Sequence, residues 1–178
     1  MQNFVWAEEM VVIAICGTPG TGKSSLAEKF RSLGFEVVHL TEFVVRNELY
    51  QGYDKKRGSY IIDEDRMINA LKIVFRDSEN VVVEGLGAEI LPKDIVDMCI
   101  VLTCQPFVLE QRLLERGYGQ EKIDENLDAE RFGVILADVM ANYDKSKIII
   151  IDTTYREMDE IFEDICNELA RRGIIGKA

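Results

Sequence analysis

Eight consecutive residues, Gly17-Thr18-Pro19-Gly20-Thr21-Gly22-Lys23-Ser24, constrain this chain more than any other stretch. They match G-x-x-x-x-G-K-[ST]. They lie between the apolar run 11–16 and an amphipathic stretch, 24–33, that Gly34 stops. Glycine lets the backbone curl so that successive N–H groups converge on phosphate oxygens, and the helix that follows adds positive potential at its N-terminus. In such a cradle Lys23 neutralises the β- and γ-phosphates and the Ser24 hydroxyl reaches Mg²⁺. The bland alternative is a glycine-rich turn with a surface lysine, and the flanking strand and helix disfavour it.

Short apolar runs alternate with longer amphipathic ones along the chain. Strands are expected over residues 11–16, 36–40, 81–84, 98–103 and 148–152. Helices are expected over 24–33, 41–48, 63–75 with Asp63 as N-cap, from Pro106 to Gly117, in one long piece from Asp124 to about 142, and over 158–172. Residues 49–62, with two glycines and three tyrosines, read as an irregular insert. Strands of continuous Val and Ile must be covered on both faces. The pattern therefore predicts a five-stranded parallel sheet in a three-layer α/β sandwich. Ligands bind such sheets at the carboxyl ends of the strands, the edge expected to hold Gly17, Glu84, Thr103 and Asp152. Residues 1–9 read as a tail, with Met10 a candidate start, and 10–178 as a single domain.

Acidic residues outnumber basic ones 32 to 21, a formal net charge of −11. Such a surface repels bare nucleic acid and anionic membrane, so a polyanionic ligand needs a local nest of basic groups and backbone N–H. No apolar run approaches the ~20 residues that span a bilayer. Glu8 and Glu9 stand where a secretory signal would be basic. A monomer in the cytoplasm is expected. Cys16, Cys99, Cys104 and Cys166 form no C-x-x-C pair and read as buried free thiols. His39, the single histidine, cannot supply a multi-histidine metal site.

Glu84 closes the run Val81-Val82-Val83. A carboxylate at the end of a buried strand suits the group that orients water on Mg²⁺, with Glu89 a weaker alternative. Arg112 and Arg116 are spaced i, i+4 on the helix before Gly117-Tyr118-Gly119. Two guanidinium groups on one face, next to a mobile segment, suit a lid that clamps a transferring phosphoryl group. Surface pairing with Glu115 and other acids is the alternative. A GTPase would carry Asn-Lys-x-Asp, which this sequence lacks. A phosphate acceptor needs no general base, whereas a hydroxyl acceptor would draw on Asp63, Glu64 or Asp65. Those acids are more simply a helix cap and its dipole partners.

The chain resembles the atypical adenylate kinase family of adenylate kinase isoenzyme 6, the coilin-interacting nuclear ATPase protein, and its archaeal members. The stretches that carry this are the phosphate loop through Ser25, Leu49-Tyr50-Gln51-Gly52-Tyr53-Asp54, Asp63-Glu64-Asp65-Arg66, the run from Glu110 to Tyr118, and Asp152-Thr153-Thr154. The resemblance implies a nucleoside-monophosphate-kinase-like fold, with the AMP-binding insert at about 39–62 and the lid at about 115–125. It implies ATP + AMP ⇌ 2 ADP with Mg²⁺, ATP hydrolysis beside it, and a role in small ribosomal subunit maturation through a ribosomal-protein partner. Gly20, Gly22, Lys23, Ser24 and Ser25 would hold ATP phosphates, Arg116 would touch ATP, and Asp152-Thr153-Thr154 would lie near its adenine unless Asp152 caps a helix. Two departures stand out. The family shows Asp-x-His after the third strand, where this chain has Glu84-Gly85-Leu86. Glu84 keeps the carboxylate on a longer stem, but Leu86 can neither donate nor accept a proton. The helix before Gly52 is offset by one residue, which makes Arg46, beside Val45, the candidate AMP-phosphate ligand.

Three functions compete on this reading. One is an AMP kinase. The second is a nucleotide-switched assembly ATPase whose acidic surface takes a basic ribosomal protein. The third is a small-metabolite kinase with a hydroxyl acceptor.

Overall fold

The computed structural model describes residues 4–6, 10–55 and 58–177. In chain order the elements are β1 (Phe4–Trp6), β2 (Val11–Cys16), α1 (Lys23–Ser32), β3 (Glu36–His39), α2 (Leu40–Arg46), β4 (Tyr50–Asp54), β5 (Ser59–Ile62) and α3 (Glu64–Arg76). They continue with β6 (Asn80–Glu84), β7 (Met98–Thr103), α4 (Pro106–Glu115), α5 (Gln120–Arg131), α6 (Val134–Asn142), β8 (Ile148–Asp152), α7 (Met158–Arg171) and β9 (Ile175–Lys177). Within the stretch read as a tail, β1 pairs antiparallel with β9.

Five strands form one parallel sheet in the order β3-β6-β2-β7-β8. Its central strand, β2, is apolar at every position because both of its faces are covered and both of its edges are paired. Val12, Ala14 and Cys16 face Met67, Leu71 and Phe75 of α3 and Val139 of α6. Val11, Ile13 and Ile15 join Leu26 and Phe30 of α1 and Ile161, Ile165 and Leu169 of α7. These are the three layers expected. Each fully buried aliphatic side chain contributes about 2 kcal/mol of transfer free energy. All four cysteines are free and buried. A separate cluster, Cys104, Leu109, Leu113, Ile123 and Leu127, fastens α5 to α4.

Two expectations fail locally. Residues 50–54 and 59–62 are not irregular: β4 and β5 pair antiparallel. Tyr60 lies 4.5 Å from the Tyr50 ring and 5.1 Å from the Tyr53 ring, centroid to centroid, and such cross-strand aromatic contacts favour pairing. A register shift between Tyr50 and Gly52 breaks the period-two alternation that would have revealed the strand. The long helix from Asp124 is instead two helices, the first starting at Gln120. Gly133, at φ 62 and ψ 36, separates them. Ile123 and Leu127 of α5 pack onto α4, whereas Val139 of α6 packs into the sheet core. One straight helix cannot serve both clusters. A near-continuous apolar periodicity through residues 134–139 concealed the break.

Candidate active site

At the end of β2 the chain enters the glycine-rich loop with φ of +144° at Gly17, +93° at Gly20 and +104° at Gly22. These values exclude most side chains. At Gly17 the space is also taken, since a Cβ would run into the Leu102 carbonyl oxygen. The Thr21 hydroxyl donates to the Thr18 carbonyl at 2.8 Å, and the Thr21 N–H reaches the same oxygen at 3.3 Å. Both threonines are buried. Pro19 sits between them, half-buried.

Lys23 opens α1 and folds over the loop, its Nζ donating to the carbonyls of Gly17 at 2.8 Å and Thr18 at 3.2 Å. Burial pushes its ammonium below the ordinary lysine range, and the nearby Glu84 carboxylate opposes that shift. The next residue, Ser24, donates its hydroxyl proton to Glu84 Oε1 at 3.1 Å. Glu84 is buried at the carboxyl end of β6. A hydroxyl and a carboxylate beside a phosphate loop are hard oxygen donors that suit Mg²⁺, an ion that keeps several waters and takes its remaining ligands from substrate phosphates. No group of three or more His, Cys, Asp or Glu side chains able to hold a metal occurs among the described residues. Glu89, the alternative acid, turns both carboxylate oxygens onto the Gly87 N–H at 3.0 and 3.1 Å. Burial raises its pKa.

The other candidates divide into engaged and exposed groups. Arg112 donates to the Gly20 carbonyl at 3.5 Å and to the hydroxyl and carbonyl of Thr153 at 3.1 and 2.9 Å. It therefore ties the phosphate loop to the turn after β8. Arg116, at the C-terminal cap of α4, is exposed, and its charge also depresses the Lys23 pKa. Ser25 is exposed on the first turn of α1. Asp152 accepts from the Thr154 N–H at 2.8 Å and the Thr154 hydroxyl at 2.5 Å, closing a local turn. The cap of α7 is Glu157, so Asp152 is not a helix cap. Arg46 ends α2 on an exposed face and, with His39, lines a groove of about 570 Å³ beside β3. Asp63 caps α3 by accepting from the Arg66 N–H, as expected.

Two residues of the site were not foreseen. Glu130 of α5 accepts from the Thr18 hydroxyl at 2.5 Å and from the Cys104 N–H at 2.8 Å, so it fastens the loop to α5. Its signal was its spacing: Ile123, Leu127 and Glu130 follow i, i+4, i+7, and an acid that continues an apolar stripe faces inward. His39 lies 2.7 Å from Glu84 Oε1 through Nδ1. That contact follows from the pairing of β3 with β6, in which His39 and Glu84 are register partners, and no single-strand pattern contains it.

The parallel sheet with its phosphate loop defines a P-loop kinase fold of the nucleoside-monophosphate-kinase type. Shikimate kinase from Acinetobacter baumannii in complex with shikimate superposes with a TM-score of 0.64 at 15% identity, over 92% of this chain and 95% of that one. Deoxyadenosine kinase from M. mycoides gives 0.57 at 18% identity, over 90% of this chain and 100% of that one. At such identities the likeness is one of fold. An AAA-domain family model matches residues 13–133. The chain is 34% identical over 147 residues to adenylate kinase isoenzyme 6 homolog FAP7 of Saccharomyces cerevisiae, covering 82% of this chain and 74% of that protein. It is also 34% identical over 168 residues to a provisionally named adenylate kinase of Methanocaldococcus jannaschii, covering 92% of this chain and 90% of that protein. The chain belongs to the family of adenylate kinase isoenzyme 6 and its archaeal relatives.

Proposed function

We propose that this protein is a Mg²⁺-ATP-dependent nucleoside monophosphate kinase acting as an adenylate kinase, ATP + AMP ⇌ 2 ADP. The observation that carries the reading is the Ser24–Glu84 hydrogen bond beside Lys23, which holds a hydroxyl, a carboxylate and an ammonium together at the phosphate loop. Mg²⁺, when bound with ATP, neutralises charge on the β- and γ-phosphates. Lys23 and the backbone N–H groups of residues 17, 18 and 20–25 would hold those phosphates, with Ser24 and Glu84 as the oxygen donors for the metal. The γ-phosphoryl group leaves the β-phosphate oxygen and bonds to an oxygen of the AMP phosphate. That acceptor is already ionised, so positioning and charge stabilisation suffice and no base is required. Of the three acids that a hydroxyl acceptor would draw on, Asp63 is engaged as a helix cap, while Glu64 and Asp65 lie exposed in the first turn of α3 as dipole partners. AMP as the acceptor is supported by the names of the relatives.

Arg116 is assigned to the developing charge on the transferring group, with Arg112 holding the loop and Thr153 in place. Arg116→Ala is expected to lower kcat by about 100-fold and ATP affinity far less. Steady-state kinetics beside calorimetric ATP binding checks this, and an equal loss in both would make Arg116 a uniform binding residue. Arg46 is assigned to the AMP phosphate, with 39–62 as insert and 115–125 as lid of a single domain, 10–178. A monomer in the cytoplasm, slow ATP hydrolysis and a basic small-subunit ribosomal protein as partner complete the reading; the net charge of −11 supports the last. No helix among the described residues is long and apolar enough to cross a membrane.

The deciding experiment is turnover of Mg-ATP with and without AMP, CMP, UMP and GMP, with ADP and free phosphate measured separately. Fast ADP formation only with AMP is expected. Slow phosphate release indifferent to every monophosphate would overturn the kinase reading in favour of a nucleotide-switched ATPase.

A further inference from the structure

The imidazole of His39 stands between the phosphate-loop helix and the strand that carries Glu84. Its Nδ1 is 2.7 Å from Glu84 Oε1. Its Nε2 is 3.3 Å from Arg31 Nη2 and 3.4 Å from Glu28 Oε1, both on α1. Glu84 Oε1 therefore has two neighbours, the Ser24 hydroxyl at 3.1 Å and the imidazole. An ionised carboxylate only accepts, so Nδ1 carries the proton. This assignment survives either state of the other nitrogen. If Nε2 accepts from the Arg31 guanidinium the ring is neutral, and if it donates to Glu28 the ring is charged. In both states Nδ1–H donates to Glu84, so the contact does not depend on whether the ring is charged.

Glutamate has one more side-chain torsion than aspartate, and ordering a glutamate side chain costs about 1.5–2 kcal/mol of conformational freedom. At the open end of β6 that freedom would let the carboxylate swing away from Ser24. His39 is fixed at the same level of the adjacent strand by parallel pairing, His39 opposite Glu84. It is clamped from behind by Glu28 and Arg31, which are spaced i, i+3. Leu86, two residues beyond Glu84, is 46% exposed and offers no polar group of its own.

We propose that His39 is the positioning residue for Glu84: its Nδ1–H, delivered from the neighbouring strand, fixes Oε1 against the Ser24 hydroxyl. The pair would then be set toward the Mg²⁺ of a bound nucleoside triphosphate. This rests on the kinase reading above only in taking Mg²⁺-nucleotide as the ligand. Partners of this kind typically contribute 10- to 100-fold to metal affinity.

The test compares the full-length wild-type protein with His39→Leu, which removes the donor, and His39→Asn, whose amide N–H sits close to the position of Nδ1. Calorimetry measures binding of a non-hydrolysable ATP analogue in Mg²⁺ and in EDTA, and the Mg²⁺ concentration for half-maximal tightening is titrated. In His39→Leu, about 10-fold or more of the Mg²⁺-dependent tightening should be lost while affinity in EDTA is unchanged. His39→Asn should recover most of it. In a Glu84→Gln background, His39→Leu should add no further loss. Thermal melts establish that each variant is folded, and His39→Ala, which also removes the donor, takes the place of His39→Leu in every comparison if the Leu variant is not. Wild-type Mg²⁺ dependence in His39→Leu would overturn the inference. So would equal loss in the Leu and Asn variants, or additive losses with Glu84→Gln. A wild-type protein that binds the analogue equally with and without Mg²⁺ would overturn the kinase reading and this inference together. Normal wild-type Mg²⁺ dependence with an unaffected His39→Leu overturns the inference alone.

Discussion

Lys23→Ala is expected to lower phosphoryl transfer by about a thousandfold or more while the protein stays folded. The ammonium is buried, and burial already disfavours its charged form. Two loop carbonyls and the Glu84 charge compensate for that cost. A group kept charged in so dry a place interacts strongly with any phosphate brought beside it, since little water screens the pair. Removing it strips the loop of its one full positive charge, because residues 17–22 are uncharged. The fold does not depend on the ammonium, since the sheet and its two covering layers are apolar. The measurement is ADP formation at saturating Mg-ATP and AMP, with a thermal melt alongside. A variant that keeps its kcat would remove the loop from the reaction altogether.

Gly17→Ala is expected to cost about 3 kcal/mol of stability, or a Tm fall of about 10 °C, and to abolish nucleotide binding. Two penalties coincide there: a φ of +144° and a neighbouring carbonyl, Leu102 O, in the place of the new methyl group. The carbonyl belongs to β7 and cannot rotate away without breaking the sheet. Gly34→Ala separates the two causes. Its φ is +94°, but no atom lies within 4 Å of a Cβ built there. It should cost only about 1 kcal/mol and leave nucleotide binding unchanged. Denaturant unfolding and nucleotide titration of both variants check the pair. Equal costs would mean that backbone strain alone, and not contact with β7, demands glycine at position 17.

The parts of this molecule that were legible in advance share one property: their signal is local. The loop could be read because its eight residues are adjacent and lie between a strand and a helix. The strands could be read because burial on both faces writes continuous Val and Ile. The place of Glu84 could be read because it closes such a run, at the carboxyl end of its strand. What escaped depends on contacts between segments. The pairing of β4 with β5 lost its alternation to a register shift. The break at Gly133 is demanded by two separate packing partners, α4 and the sheet, that no local pattern reveals. His39 is 45 residues from Glu84 in the chain, and only strand order makes them neighbours.

The Glu130 contacts bear on how the protein can be taken apart. One carboxylate holds Thr18 in the phosphate loop and the Cys104 N–H after β7, and it sits on the helix that begins within the proposed lid. A deletion that removes α5 to free the site for inspection would also untie the loop. Loss of activity in such a shortened protein would then be misread as evidence that the lid does chemistry. Changes confined to residues 115–119, upstream of α5, probe the lid while leaving this anchor in place.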